Sequence, residues 1–230
     1  MTSSSLRSLT AVVAVGLALG GLAVTAQPAA AADVPCVING FTPVDVVVGL
    51  APKVATFAPK VTGCTTLEDW TLEGETFSLF KGLDQQVFDP FDNAEVKAQD
   101  VVVTAANTDF EEVTTRTFPD AFRLKRASTW DQMNATPEPV TKGKTISVKA
   151  RLRIADWTND RYVSYTNRIV DLQFRTATGK YTKVKSIKTG STGYASASVT
   201  ATSDGCFRLV WGGNSAAGRA TGPGDCVDVR

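Results

Sequence analysis

The stretch "ISVKARLRI" (146–154) alternates without a break: Ile146, Val148, Ala150, Leu152 and Ile154 share one face, and Ser147, Lys149, Arg151 and Arg153 share the other. A period of two over this length describes a strand with one face buried and one in water, because successive side chains point to opposite sides. The stretches after it read the same way: "IVDLQFRT" (169–176), "YTKVKSI" (181–187), "YASASVTAT" (194–202), "CFRLVW" (206–211) and "CVDVR" (226–230), separated by the turn formers "TATGK", "KTGSTG", "TSDG" and "GGNSAAGRATGPG". Short strands at a spacing of roughly ten residues, with no helix between them, predict an antiparallel sandwich.

The preceding part is less regular but also strand-like, in "VDVVVGL" (44–50), "VATFAPKVT" (54–62), "ETFSLF" (75–80), "AQDVVVTAANT" (98–108), "EEVTTRTF" (111–118) and "AFRLKRAST" (121–129). "NATPEPVTKGK" (134–144), Pro-rich and polar, reads as a short semi-extended spacer. The expectation is therefore all-β: two antiparallel β-sandwich domains, over 33–139 and 140–230, joined by a short Pro-containing linker.

Residues 1–32 read as a signal peptide. Arg7 supplies the positive start, residues 11–24 are apolar, and "AQPAAAA" offers small residues for cleavage before Asp33. The apolar run is shorter than the ~20 residues that cross a bilayer, and no second one follows, so no membrane span is expected in the mature chain. In an exported chain, Cys36, Cys64, Cys206 and Cys226 read as disulfides, one local pair near each end. If Cys206 and Cys226 bond, they pair as antiparallel neighbours, which sets Trp211 opposite Thr221 and centres the hairpin on Ala216.

The strand pattern of "ISVKARLRIADW", "VDLQFRTATGKYTKVKSIKTGSTGYASASVTATSDGCFRLVWGG" and "GDCVDVR" resembles the immunoglobulin-like repeats of secreted actinobacterial proteins. "VDVVVG" and "FRLKR" resemble the partner domain of the two-domain members. The resemblance implies fold and export, and no chemistry. Cys206 and Cys226 depart from it, standing where such repeats often carry an aromatic residue.

The chain has no histidine, which removes the Ser-His-Asp and Cys-His nucleophiles and, with the cysteines oxidised, the usual zinc sites. No catalytic residue, metal or other cofactor is assigned. Charge is divided along the chain: residues 33–139 hold 8 Lys+Arg against 17 Asp+Glu, and residues 140–230 hold 15 against 6, nets of −9 and +9. Lys149, Arg151, Arg153, Lys183 and Lys185 are the candidates for binding a polyanion such as a cell-wall polymer, although charged strand faces are ordinarily just solvated. Opposite charges on tethered domains also predict a particle that compacts at low salt. Nucleic acid is not expected, since no recognition motif is present.

"DWTNDRYVSY" (156–165) is read as a decorated loop between strands, with Trp157, Tyr162 and Tyr165 as the alternative of a carbohydrate-stacking platform. Glu68, Asp69, Glu73 and Glu75 around Trp70 raise a carboxylate-only polysaccharide hydrolase. "DPFDN" (89–93) and "DWTND" (156–160) raise a calcium-stabilised module, without the full calcium-loop pattern. The reading adopted is a secreted, extracellular, non-enzymatic binding or surface-interaction module, for cell-wall polyanion or carbohydrate; the sequence leaves open whether the exported chain stays free or associates with the wall.

Overall fold

The computed structural model describes residues 36–64, 67–107 and 113–230. The leader expected over 1–32 lies outside them, as do Thr65 and Thr66 at the start of the acid-rich stretch. The described chain is built almost wholly of strands, arranged as two β-sandwiches in succession.

The first sandwich comprises β1 (Val37–Thr42), β2 (Asp45–Val48), β3 (Lys53–Thr56), β4 (Ala58–Thr62), β5 (Asp69–Gly74), β6 (Phe77–Phe80), β7 (Gln85–Phe88), β8 (Ala98–Ala106) and β9 (Val113–Arg126). One layer runs β2-β9-β8-β5-β6; in the other, β1 pairs with β4 and β3 with β7. Alternate residues of β5 and β8 point inward, so Trp70, Leu72, Val101, Val103 and Ala105 are buried. They share the core with Phe57, Phe77, Phe88 and Phe122, whose ring centroids lie 4.9 to 6.5 Å apart, an aromatic cluster in tilted and edge-on contact. Cys36 and Cys64 are bonded, Cα atoms 4.3 Å apart.

The second sandwich comprises β10 (Ser128–Thr136), β11 (Thr145–Asp156), β12 (Arg161–Ser164), β13 (Ile169–Arg175), β14 (Thr182–Lys188), β15 (Tyr194–Thr200), β16 (Gly205–Trp211), β17 (Ala220–Thr221) and β18 (Asp225–Val227). β10, β11 and β15 form one layer, with β12 on the end of β11; β14-β13-β16 with β17 and β18 form the other. Ile146, Val148, Ala150 and Leu152 are buried as their alternation requires, in one core with Leu172, Phe207, Leu209 and Trp211.

In both sandwiches the first strand changes layer. β1 ends before Pro43, and β2 then pairs parallel with β9, from Asp45↔Arg123 to Val48↔Arg126. β10 ends before Pro137, and Val140 bridges Val229 in parallel. Proline has no N–H to donate, so a ladder stops there and the chain is released to the opposite layer. These parallel pairs are local departures from the antiparallel expectation.

The Pro-containing segment expected as the linker lies one strand too late. β10 is paired with β11 from Ser128↔Ile154 to Thr136↔Ser147, so residues 137–144 connect two strands of the same sandwich. Only Ala127 separates β9 from β10. A Pro-rich polar run marks a strand leaving its sheet as readily as it marks a spacer, and a register shift between Asp131 and Asn134 obscures the alternation of β10. With 128–136 counted in the second sandwich, the net charges of residues 33–127 and 128–230 are −7 and +7.

Cys206 and Cys226 face each other across β16 and β18 and are bonded, Cα atoms 3.8 Å apart. Nearer the turn the register has slipped by one, so Trp211 faces Ala220 and not Thr221. A break between β17 and β18 at Gly222–Gly224 takes up the extra residue.

Candidate functional site

"DWTNDRYVSY" begins where the alternation of β11 fails. Ala155, Asp156 and Trp157 are all buried, because the end of β11 is covered by the first sandwich. Trp157 lies within the first sandwich's core cluster, and its indole Nε1 donates to the Gly49 carbonyl at 2.8 Å. Its backbone N–H donates to Asn93 Oδ1 at 3.0 Å. Asn93 Nδ2 donates to Asp156 Oδ1 at 2.6 Å, Asn159 Nδ2 donates to Asp156 Oδ2 at 3.0 Å, and the Asn93 N–H donates to Thr158 Oγ1 at 3.1 Å. The two acidic loops noted in the sequence thus meet each other.

Local geometry prepares each partner. Asp92 caps the short 3-10 turn Asn93–Glu95, and Glu95 returns hydrogen bonds to the N–H groups of Phe91 and Asp92, a capping box that fixes where Asn93 points. Trp157–Asn159 is a second 3-10 turn, ended by Asp160 in the left-handed region at φ 45°. The hydrogen bonds from Asn93, and then from Asn159, hold the Asp156 carboxyl below the usual carboxylate range, with the Arg126 charge assisting.

Arg126 completes the joint. Its backbone N–H donates to Ala216 at 3.0 Å and its carbonyl accepts from Gly218 at 2.9 Å, while its Nε donates to the Ala155 carbonyl. Burial lowers its pKa, and the Asp156 charge opposes that shift. Ala127 N–H donates to Val48 at 2.7 Å, and Ala155 N–H donates to Ala127 at 2.8 Å. Gly218 allows a close approach here, since a Cβ would stand 2.5 Å from Val47 Cγ1. The stretch read as a decorated loop is the joint between the two sandwiches.

The three aromatic residues are divided between the two cores. Trp157 is buried at 5% exposure. Tyr162 packs on the first core and Tyr165 against the second, edge-on to Trp211 at 5.6 Å and with Arg168 over its ring at 4.5 Å. A sugar needs an open aromatic face, which Trp157 does not offer.

The basic candidates fall on two layers. On β11, Lys149 sits over the Tyr194 ring at 4.2 Å, Arg151 donates to Ser164 Oγ and the Thr192 carbonyl, and Arg153 pairs with Asp131 at 3.4 Å. On β14, Lys183 pairs with Asp171 at 2.8 Å, and Lys185 reaches the Ser198 carbonyl on β15 at 2.7 Å. The Lys183 ammonium, then Ser186, hold the Asp171 carboxyl below its ordinary range. Arg153 and Lys183 are therefore partly neutralised, while Lys149 and Arg151 have no carboxylate partner among the described residues.

Arg175 and Arg208, with Tyr181, were not singled out from the sequence. Both arginines lie against the Tyr181 ring, at 5.2 and 3.8 Å from its centroid. The alternation of "VDLQFR" and "CFRLVW" signals that both point outward, but their meeting depends on the pairing Arg175↔Cys206 across β13 and β16.

The acid-rich stretch does not assemble into a facing pair. Glu75 is taken by Lys97, Glu73 is exposed on β5, Asp69 Oδ1 accepts the Trp70 N–H, and Trp70 is buried in the core. Among the described residues, no group of three or more His, Cys, Asp or Glu side chains is placed to hold a metal ion, and no helix is long and apolar enough to cross a membrane.

The paired layers and the layer-switching first strands define the class: a tandem protein of immunoglobulin-like β-sandwiches. No protein-family model matches the chain, and no curated protein does. Similar solved structures include the fibronectin(III)-like modules of Clostridium thermocellum CbhA, at 12% identity over 84% of this chain and 92% of that one, TM-score 0.40. The D0-D1 domain of Intimin is matched at 12% identity over 83% of this chain and 98% of that one, TM-score 0.30. Three N-terminal domains of the bacteriophage RB49 outer capsid protein Hoc are matched at 11% identity over 86% and 70%, TM-score 0.30.

Proposed function

We propose that this protein is a secreted, non-enzymatic binding or surface-interaction module that engages an anionic polymer of the cell wall through its second sandwich. The supporting observation is the separation of charge by a fixed joint. The second sandwich carries a net of +7, with cations on both outward sheet faces. Its contacts with the acidic first sandwich run through the junction at residues 126–127 and through residues 155–158, Tyr162 and 216–218. Among the described residues no ion pair links the acidic half to the basic faces, which leaves those faces to a partner of opposite charge.

Export is supported by the leader-like start and by two disulfides in a small β-protein, in keeping with the resemblance to secreted actinobacterial repeats. Binding is favoured over hydrolysis because the acids of residues 68–75 are dispersed and their tryptophan is in the core.

The test is retention of the purified protein on isolated cell wall at low and high salt. Retention at low salt with release at high salt is expected, since contacts between exposed charges are screened. Absence of retention at low salt, or retention indifferent to salt, overturns the reading.

A further inference from the structure

The outward face of the β14-β13-β16 layer carries a basic row built by register. Gln173 on β13 is flanked by Lys183 on one side and Arg208 on the other, so the two cations stand roughly 10 Å apart across two inter-strand spacings. Arg175, two residues along β13 on the same face, lies beside Arg208, and the two guanidinium groups share the Tyr181 ring at 5.2 and 3.8 Å. Like charges do not gather without a reason for tolerating their repulsion; the ring quadrupole supplies part of it.

The strand beside this cluster is cross-linked. Cys206, opposite Arg175, is bonded to Cys226. Gly224 leaves room for the tyrosine, since a Cβ there would stand 2.3 Å from the Tyr181 hydroxyl and 3.8 Å from Cys206 Cβ. Gly224 lies between the two bonded cysteines in the chain, and the arginines are placed by two paired strands.

Both guanidinium groups keep most of their hydrogen-bonding capacity. Arg208 Nε donates to Gln173 Oε1 at 2.9 Å, and Arg175 Nη1 donates to the Ala177 carbonyl at 3.2 Å. Each commits one N–H of five. Among the described residues neither has a carboxylate partner; the nearby Asp171 is paired with Lys183. This differs from β11, where Arg153 is paired with Asp131 and Arg151 is committed to Ser164 and Thr192.

We propose that Arg175 and Arg208, gathered at Tyr181, form an oxyanion clamp for the phosphate groups of an anionic polymer. The inference rests on the reading of the protein as a polyanion-binding module and says which residues recognise the polymer. A planar carboxylate fills one guanidinium fork, whereas a tetrahedral phosphate presents oxygens in several directions and can accept from two separate forks.

The experiment is a titration of the full chain with long-chain inorganic polyphosphate, with polygalacturonate as the carboxylate comparison. The variants are Arg175→Gln/Arg208→Gln, Arg175→Lys/Arg208→Lys and, on the other layer, Lys149→Gln/Arg151→Gln. The clamp predicts that the first pair loses about tenfold or more in polyphosphate affinity, that the lysine pair recovers only part of it because charge without the fork is insufficient, and that the β11 pair loses less. Unchanged melting temperatures separate this from misfolding. Equal losses in the two glutamine pairs, full recovery by lysine, or equal affinity for polygalacturonate overturns the phosphate clamp while leaving wall binding standing. Failure of wall retention in the wild type defeats the wider reading instead.

Discussion

Asn93 in the first sandwich and Asp156 in the second meet side chain to side chain, with Asn93 Nδ2 donating to Asp156 Oδ1 at 2.6 Å. The contact spans 63 residues of sequence and joins two loops that each look, in isolation, like the beginning of a cation site. Both oxygens of Asp156 are occupied by amide N–H groups, so the carboxylate serves the joint.

The first prediction concerns acid stability. Asp156 has a depressed carboxyl pKa in the fold, so it releases its proton more readily folded than unfolded. The stability it adds is present above the ordinary carboxylate value and is lost as pH falls through the folded value. Asn93→Ala should narrow this window by raising the folded value, and Asp156→Asn should lower stability near neutral pH while flattening the acid limb. Urea midpoints measured from neutral pH to below pH 4 check this; an acid limb in Asp156→Asn as steep as in the wild type contradicts it.

The second prediction reverses the expectation from charge alone. Opposite nets of seven would pull two flexibly tethered bodies together at low salt. Here β9 passes to β10 through Ala127, and hydrogen bonds from Arg126, Ala127 and Ala155 fasten the junction. The radius of gyration from small-angle scattering should be the same at low and high salt. Compaction at low salt would mean that the joint yields.

Trp157 should behave as a core residue. Trp157→Ala removes a buried indole and leaves the Gly49 carbonyl without its donor, which should cost about 3–5 kcal/mol in denaturant unfolding. A change below about 1 kcal/mol, the range of surface substitutions, would show that the ring is not held as described.

Gly218→Val should loosen the same joint from the other side, because even a Cβ would come within 2.5 Å of Val47. Overpacking of this kind costs about 1–3 kcal/mol. The variant should unfold at lower urea and gain proteolytic cleavage near residue 127; unchanged stability would refute the close approach.

Both disulfides should be present in the purified protein, so thiol labelling of the unfolded, unreduced chain should find no free cysteine. The bridge from Cys206 to Cys226 closes a separation of 20 residues, worth roughly 3 kcal/mol in the chain-entropy model. Replacing both cysteines by serine should lower stability by about that amount, measured by denaturant unfolding.

Much of the second sandwich was legible because its strands are half-buried. The burial of Ile146, Val148, Ala150 and Leu152 follows from period two alone, and the pairing of Cys206 with Cys226 follows from phase and reach. The joint was not legible. Trp157 and Asp156 belong to a polar, turn-forming segment, and nothing within it signals that Gly49 and Asn93 will cover it. Nor do Arg175 and Arg208, 33 positions apart in the chain, announce a shared tyrosine before β13 and β16 are paired.

Alternation, turn chemistry and cysteine placement determined by themselves that this chain is all-β, sandwiched and bridged near each end, because these rest on local geometry and on which face of a strand meets water. Tertiary structure alone decided where one sandwich stops and the next begins, that an apparent site is a joint, and which cations remain unpaired. Those depend on long-range pairing: a hydrogen-bond donor, a carboxylate or an aromatic ring is satisfied by whatever the fold brings to it, and its partners lie tens of residues away.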